Sequence, residues 1–355
     1  MSTDAPAAPY DDSGYIGDLT NLGLVGGVKN NGDADRVLIV GDGNFSFARA
    51  FLRSNELKIA SGELSVTATS LDTHDELLHM YPNSGVILGE LRHGGVRVVH
   101  DVNATKLKQY PSLLTPAEDA ESSSSSSSSS LFDRVVFNFP HFAEGGSKRN
   151  KIHRHRQLLR EFFQSAQDVL AHGGLVWVTL CAGQGGTPLD TKSRAWGDTW
   201  QIVHCAADAG FIARSVHLCP VEQLAALGYY SVGYKLMEQA FWTPDSLTHV
   251  FCREGLGVKA HFPIEWTRGI SFWTHDGFTE DKMVEILREC FPPPFTMAFH
   301  LTDSYVCPKS NRTSVTYSVQ VSCDRTAFSR DRVNTRTLDA ITRIESSEFA
   351  SSRAS

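Results

Sequence analysis

Apolar and polar positions along the chain follow two alternating periods. Arg36-Val-Leu-Ile-Val40 is a strand-sized apolar run. Gly41-Asp-Gly43 follows at once, and then Phe45-Ser-Phe47-Ala-Arg-Ala-Phe51-Leu52, whose apolar residues recur at helical spacing. The order is strand, glycine-rich turn, helix. Leu64–Thr69, rich in β-branched residues, predicts a second strand that ends at Ser70-Leu-Asp72. A helix over Thr73–Met80 is stopped by Pro82-Asn83. Val96–Val99 predicts a third strand ending at His100-Asp101, and Phe132–Phe137 a fourth ending at Asn138-Phe-Pro-His141. An amphipathic helix is expected over His153–His172, closed by Gly173-Gly174, with a fifth strand at Leu175–Leu180. Trp196–His217 reads as helix then strand. Tyr229–Phe251 reads as a hairpin, with one arm from Gly233 to Glu238, a turn near Pro244-Asp245 and a return over His249–Phe251. Strands and helices alternating at this pitch predict an α/β fold, a mostly parallel Rossmann-like sheet with helices on both faces.

The style changes after a linker over residues 256–263. Gly269–Trp273 is a strand, Thr279–Cys290 a helix, Phe295–Tyr305 a strand, Pro308–Arg312 a turn, Thr313–Ser322 a strand and Arg332–Ile344 a helix. That order is a small α+β ferredoxin-like unit. Ser346–Ser355 is rich in Ser and Ala and poor in β-branched residues, so the closing edge strand of such a unit is not expected and the unit reads as truncated at its C-terminus. The division is therefore a disordered acidic leader over 1–32, a first domain over 33–255 and a second over 264–355. Within the first domain, residues 121–130 hold Glu121 and nine serines, a loop insertion with nothing apolar to bury.

Composition narrows the function classes. The chain has 355 residues with 33 Lys+Arg against 40 Asp+Glu, a net charge of −7, which argues against a protein that coats nucleic acid. No apolar run approaches the roughly 20 residues of a membrane span. The first 15 residues lack the basic and apolar regions of a signal peptide. Seven cysteines at irregular spacing, without a C-x-x-C, fit free thiols in cytosol or nucleus and give no support for a metal site.

In an open parallel sheet, ligands sit beyond the carboxyl ends of the strands. The residues there are Gly41, Asp42, Gly43, Asn44, Phe45 and Ser46, then Asp72, Asp101 and Asn103, then Asn138–His141. The third glycine of a dinucleotide turn is missing, which disfavours NAD. S-adenosylmethionine needs a close backbone approach at the first turn but no pyrophosphate grip. Asp72 is placed for its ribose hydroxyls and Asp101 for its adenine amino group. Taken singly, each acid also fits a helix cap or turn.

Asn138-Phe-Pro-His141 resembles the base-binding tetrapeptide of amino-methyltransferases. The Asn138 side-chain oxygen and the carbonyl before Pro140 can accept hydrogen bonds from a nitrogen on a base and aim it at a methyl donor. Phe139 or Phe142 can stack on an extruded base, and His141 can take a proton from an imide nitrogen. From Gly145 to Arg160 there are six Lys/Arg and no acid. Lys148, Arg149, Lys151, Arg154 and Arg156 read as an RNA phosphate track, with a solvated helix start as the plainer alternative. From Tyr305 to Arg343 there are seven Lys/Arg against three Asp, and that excess, with Tyr305 and Tyr317 and with Lys309, Arg312 and Arg325 as candidates, suits an RNA face, with a solvated sheet face as the plainer alternative.

Val37–Phe47, Thr67–Asp72, Asp101–Leu107, Phe132–His141, Gln157–Phe163 and Gly174–Leu180 resemble, in order, the blocks of the eukaryotic large-subunit ribosomal RNA (uridine-N3)-methyltransferase-like family. The resemblance covers about residues 34–254. It implies a class I S-adenosylmethionine methyltransferase fold, with Gly185–Asp190 expected after the fifth strand. Ile270–Trp273, Leu301–Tyr305, Pro308–Ser314 and Asp324-Arg-Thr326 resemble the ferredoxin-fold anticodon-binding domain at the end of the phenylalanyl-tRNA synthetase β chain. Together they imply an RNA base methyltransferase acting on N3 of a uridine in ribosomal RNA or tRNA, in cytoplasm, nucleus or nucleolus, with no metal and no membrane partner. A non-catalytic RNA-binding protein with a vestigial methyltransferase domain is the alternative.

Overall fold

In a computed structural model of the chain, the described residues are 34–114, 131–142, 148–233 and 241–353. The leader over 1–32, the polyserine loop and the 234–238 stretch of the expected hairpin arm lie outside them. Two compact units divide between Leu256 and Gly257.

In the first unit, β1 (Asp35–Val40) carries four consecutive buried residues, Val37–Val40. A continuous apolar run is what a parallel strand covered on both faces requires. It pairs in parallel with β2 (Leu64–Thr69) on one side and β4 (Phe132–Asn138) on the other. β3 (Arg97–Val99) extends the sheet beyond β2. β5 (Leu170–Leu180) lies beside β4, followed by β7 (Leu247–Arg253) and β6 (Phe211–Leu218). The order β3-β2-β1-β4-β5-β7-β6, with β7 alone antiparallel, is the sheet of a class I methyltransferase fold. The helices between strands are α1 (Ser46–Ser54), α2 (Glu56–Ala60), α3 (His74–Met80), α4 (Ser84–His93), α5 (Lys148–Gln167), α6 (Ile202–Ala207) and α7 (Val221–Ala226). α3 starts at a full capping box, Thr73 with Glu76.

Two elements differ from the sequence pattern. α5 starts at Lys148 rather than His153 and ends at Gln167. The chain leaves the helix early because Phe132 N–H donates to the Val169 carbonyl and Leu170 pairs with Phe132. The glycine pair read as a helix stop sits instead where the β4–β5 register shifts. The second difference is β7, the expected return arm of a local hairpin. It inserts between β5 and β6, so its partners come from far away in the chain.

The second unit has β8 (Ile264–Thr274), α8 (Glu280–Cys290), β9 (Thr296–Val306), β10 (Thr313–Cys323), α9 (Arg330–Glu345) and β11 (Ala350–Ser352). Its antiparallel sheet has the order β11-β8-β10-β9, a ferredoxin-like arrangement. Ile270, Phe272, Tyr317, Val319 and Val321 face Met283, Leu287, Val333 and Ile344 of the helices in one core. The expected loss of the closing strand is corrected. Ala350–Ser352 pairs with β8, and buried Ala350 and Phe349 pack on the core. Three residues suffice, because the ladder and the apolar pair supply what β-propensity does not. Residues read as linker also dock within this unit: Ala260 N–H donates to the Asp324 carbonyl, and Lys259 pairs with Asp324 at 3.5 Å.

Candidate active site

Where β1 and β4 part company with their crossover connections, the sheet opens a cavity of about 1030 Å³ counting its mouth. Its floor is the turn after β1. Gly41 has φ +65, and a Cβ there would lie 2.8 Å from the Phe137 ring. Only glycine fits both conditions. Gly41, Asp42, Gly43 and Asn44 all line the cavity. The Asp42 carboxylate accepts from Ala48 N–H at 2.6 Å and so caps α1 from outside the helix. Burial pushes its pKa up to about 7, against those amide hydrogen bonds, which pull it down. Asn44 Oδ1 accepts from Ser46 N–H at 3.1 Å, while its Nδ2 is buried with no partner among the described residues. A glycine cradle and a buried orphan donor fit a polar ligand at this turn.

Phe45 and Ser46, expected on the cofactor, do not line the cavity. α1 begins at Ser46, which turns both side chains inward. The fully buried Phe45 ring meets His100 edge-on at 5.4 Å. The Ser46 hydroxyl donates to the Tyr230 carbonyl at 2.9 Å and accepts from Tyr230 N–H at 3.2 Å. Arg49 donates to the Gly228 carbonyl and Arg53 to that of Leu227. The strap so fastened brings Tyr229, Tyr230, Ser231, Val232 and Gly233 onto the cavity. The sequence pattern missed it, since its contacts span about 180 positions in the chain.

Asp72 and Asp101 lie side by side: Asp101 N–H donates to the Asp72 carbonyl at 3.2 Å. Neither lines the cavity; their chain neighbours Leu71 and Val102 do. Asp101 is exposed at φ 57, which directs the backbone of Val102 and Asn103 inward instead. Half-buried Asp72 has its pKa raised by desolvation first and then by Glu76. Burial first, and then the Asp72 charge, raises that of Tyr81, a lining residue. Asn103 lines the cavity too, but its Oδ1 is taken by Thr105 N–H at 2.9 Å as the cap of the next turn.

The opposite wall is Asn138, Phe139 and His141, with Pro140 buried beneath. The Asn138 Oδ1 accepts from the Thr179 hydroxyl at 2.6 Å, and Thr179 is in turn 2.9 Å from Thr248 Oγ1. One of the two lone pairs of the expected acceptor is thus engaged within the protein. The Nδ2 donor is the atom left buried without a partner among the described residues. Phe139, at φ 49, stacks on Phe241 with centroids 6.1 Å apart, and His141 meets Phe241 edge-on at 5.3 Å. Left-handed Phe45, Asp101 and Phe139 each follow the end of a different strand at this rim, and such conformations cost of order 1–3 kcal/mol each.

His141 Nδ1 lies 3.2 Å from His155 Nε2. Burial, then the charges of His155 and Lys151, push the His141 pKa down to about 4, so the ring is neutral at pH 7. His155, also lowered chiefly by burial, stacks on Trp200 at 4.2 Å.

The basic run divides. Lys151 and Arg154 are exposed on α5, Arg154 lying 5.1 Å over the Phe142 ring. The side chains of Lys148 and Arg149 lie outside the described residues. Arg156 is not on a phosphate track: it is buried and donates to the Thr199 carbonyl at 2.7 Å and that of Gly197 at 2.9 Å. Ile152, His155, Arg156 and Leu159 recur at i, i+3, i+4 and i+7 and are all buried, so helical spacing is the signal that identifies both His155 and Arg156 as inward. Thr179 has a weaker signal, the lone hydroxyl in an apolar strand.

In the second unit Tyr305, Lys309 and Arg325 are exposed, but Tyr317 is corrected: its ring is buried in the core with Phe272 and Val319 and is not on an RNA face. Arg312 is tied down, its guanidinium 5.0 Å over Trp273 and 2.7 Å from Ser351 Oγ. All seven cysteines are free thiols. No helix among the described residues is long and apolar enough to cross a membrane.

Residues 38–220 match the family model described as BMT5-like, rRNA (uridine-N3-)-methyltransferase BTM5-like. The chain is 39% identical over 216 residues to the mouse ferredoxin-fold anticodon-binding domain-containing protein 1 homolog, covering 61% of this chain and 30% of that protein. It is 37% identical over 218 residues to the human ferredoxin-fold anticodon-binding domain-containing protein 1, covering 61% and 31%. The matches thus span under a third of those relatives' length. Among solved structures, TrmN from Thermus thermophilus overlaps 62% of this chain and 44% of its own at 15% identity and a TM-score of 0.31, too low to carry an argument.

Proposed function

Because the chain belongs to the BMT5-like family, we propose that its first unit is an RNA base methyltransferase that binds S-adenosylmethionine and modifies N3 of a uridine. One observation carries this: the glycine turn, Asn138 and His141 line a single cavity at the carboxyl ends of the strands. S-adenosylmethionine supplies an electrophilic methyl group when bound. Gly41, Asp42, Gly43 and Asn44 would hold its amino-acid part. Asp72 at the rim would hold the ribose, with Val102 and Asn103, which line the cavity where Asp101 does not, around the adenine.

Uridine N3 bears a proton between two carbonyls. His141 takes that proton as general base. Asn138 Nδ2 donates to a flanking carbonyl oxygen, where negative charge gathers as the proton leaves. The Phe139 and Phe241 rings stack on the incoming base. Lys151 and Arg154 track the backbone phosphates, joined by Lys148 and Arg149. Tyr305, Lys309, Arg312 and Arg325 of the second unit add RNA contacts. The family supports ribosomal RNA as the substrate and the ferredoxin-like second unit supports tRNA; cytosol, nucleus or nucleolus is the location that goes with this reading.

The experiment is to incubate the full chain with methyl-labelled S-adenosylmethionine and total RNA, digest the RNA and identify the labelled nucleoside. N3-methyluridine is expected; label confined to another nucleoside refutes the N3 assignment. The low basicity of His141 favours a second reading, RNA binding without catalysis. RNA binding with no label in any nucleoside would establish that reading instead. Asp72→Ala weakens cofactor binding in calorimetry, and unchanged affinity refutes the ribose role.

A further inference from the structure

We propose that His155 is a positioning residue: it fixes the tautomer of His141 so that Nε2 holds the lone pair that takes the substrate proton. The inference rests on the reading of His141 as the base. Two backbone groups force the assignment. The Lys151 carbonyl can only accept, so His155 Nδ1, 2.7 Å away, carries its proton. The Phe142 amide can only donate, and it lies 3.2 Å from His155 Nε2, which therefore bears the lone pair. A neutral imidazole has one donor and one acceptor nitrogen, so the two contacts agree. His141 Nδ1 faces that same lone pair at 3.2 Å: an N–H there shares it with the Phe142 amide, whereas a lone pair there would meet another lone pair. The His141 lone pair is then on Nε2.

His155 is held firmly enough to dictate this. Its ring is 5% exposed and lies nearly parallel to Trp200, at 14° and 4.2 Å. Among the described residues, Lys151 and His155 are the titratable groups that act on His141, and Lys151 the one that acts on His155. Both influences favour neutral rings, the state in which a nitrogen can accept. The step is then a transfer of the N3 proton to His141 Nε2, with the electron pair left on N3. Which nitrogen of a histidine acts is commonly set by the bond its other nitrogen makes.

The test is ring-nitrogen NMR on the full chain labelled with ¹⁵N-histidine, with His141 assigned by comparison with His141→Gln. The wild-type protein should show His141 as the Nδ1–H tautomer. His155→Phe keeps a ring on Trp200 but no acceptor, and should shift His141 toward the Nε2–H form. His155→Gln, whose side-chain oxygen accepts, should restore part of the wild-type signal. His141 found as Nε2–H in the wild type, or unmoved in His155→Phe, overturns the proposal. In methyl transfer to total RNA, kcat of His155→Phe should fall about 10- to 100-fold with S-adenosylhomocysteine affinity unchanged, and a wild-type kcat overturns it. A chain that methylates no RNA ends the methyltransferase reading, whereas the tautomer measurement still decides the role of His155.

Discussion

The two walls of the cavity are built in opposite ways. The side chains of the turn after β1 are secured largely within a few residues, Asp42 accepting from Ala48 and Asn44 from Ser46, while its backbone also reaches β2 through Asp42 N–H on the Thr69 carbonyl. The wall after β4 is secured from afar. Asn138 is set by Thr179, 41 positions on, Thr179 adjoins Thr248, and His141 is set by a residue of α5. The first wall is backbone held by its own helix cap, so a change there disturbs folding and cofactor together. The second is side-chain chemistry on a finished scaffold, so on the proposed function a change there should alter reactivity and spare the fold.

The largest effect should come from the second wall. His141→Ala is expected to lower methyl transfer by about 10²- to 10⁴-fold, the usual worth of a general base, with S-adenosylhomocysteine affinity and urea midpoint preserved. A loss of stability in place of turnover would erase the distinction between the walls. In the first wall, Gly41→Ala puts a Cβ at φ +65 and 2.8 Å from Phe137. It should cost about 1–3 kcal/mol in urea unfolding and weaken cofactor binding in the same variant. Normal stability would show that the turn yields.

The walls also differ in the sign of their pH dependence. Asp42 has a folded pKa of about 7, against about 3.9 when unfolded. Between those values the fold holds a proton that the unfolded chain has lost, so its contribution to stability falls as pH rises from about 4 to 7. His141 and buried His249 are pushed down to about 4, against about 6.5 unfolded. Between about pH 4 and 6.5 the unfolded chain takes up their protons, and stability rises with pH. Asp42→Asn deletes the falling contribution alone. Urea midpoints between about pH 4.5 and 6.5 should then climb more steeply than in the wild type, by on the order of 1 kcal/mol per pH unit. An identical slope would mean that the capped helix keeps Asp42 ionised.

The smallest effect sharpens the reading of α5. Lys151→Ala should reduce the slope of log RNA affinity against log salt by about 1 and leave the urea midpoint alone. Arg156→Leu should do the reverse, because its guanidinium binds the carbonyls of Gly197 and Thr199. A salt slope reduced by Arg156→Leu would return that residue to the RNA.

Turns and strand exits were legible because they depend on neighbours. A buried parallel strand must be apolar, a turn at positive φ that admits no Cβ needs glycine, and ligands gather at the carboxyl ends. Gly41, Asp42, Asn138 and His141 follow from those rules and do meet at one cavity. The ferredoxin-like unit was legible on the same grounds, apart from β11, whose three residues gain their strand from β8.

By itself, then, the sequence determined the fold class, the place of the site and most of the residue types around it. Tertiary structure decided which atoms are available: that Asn138 offers its nitrogen, that Phe45 and Ser46 turn inward, that Arg156 is buried beside His155, and that a strap from Tyr229 to Gly233 closes one side. Period and turn chemistry act over a handful of residues. The direction of a hydrogen bond and the burial of a charge depend on partners dozens of residues away, which only the packed chain brings into contact.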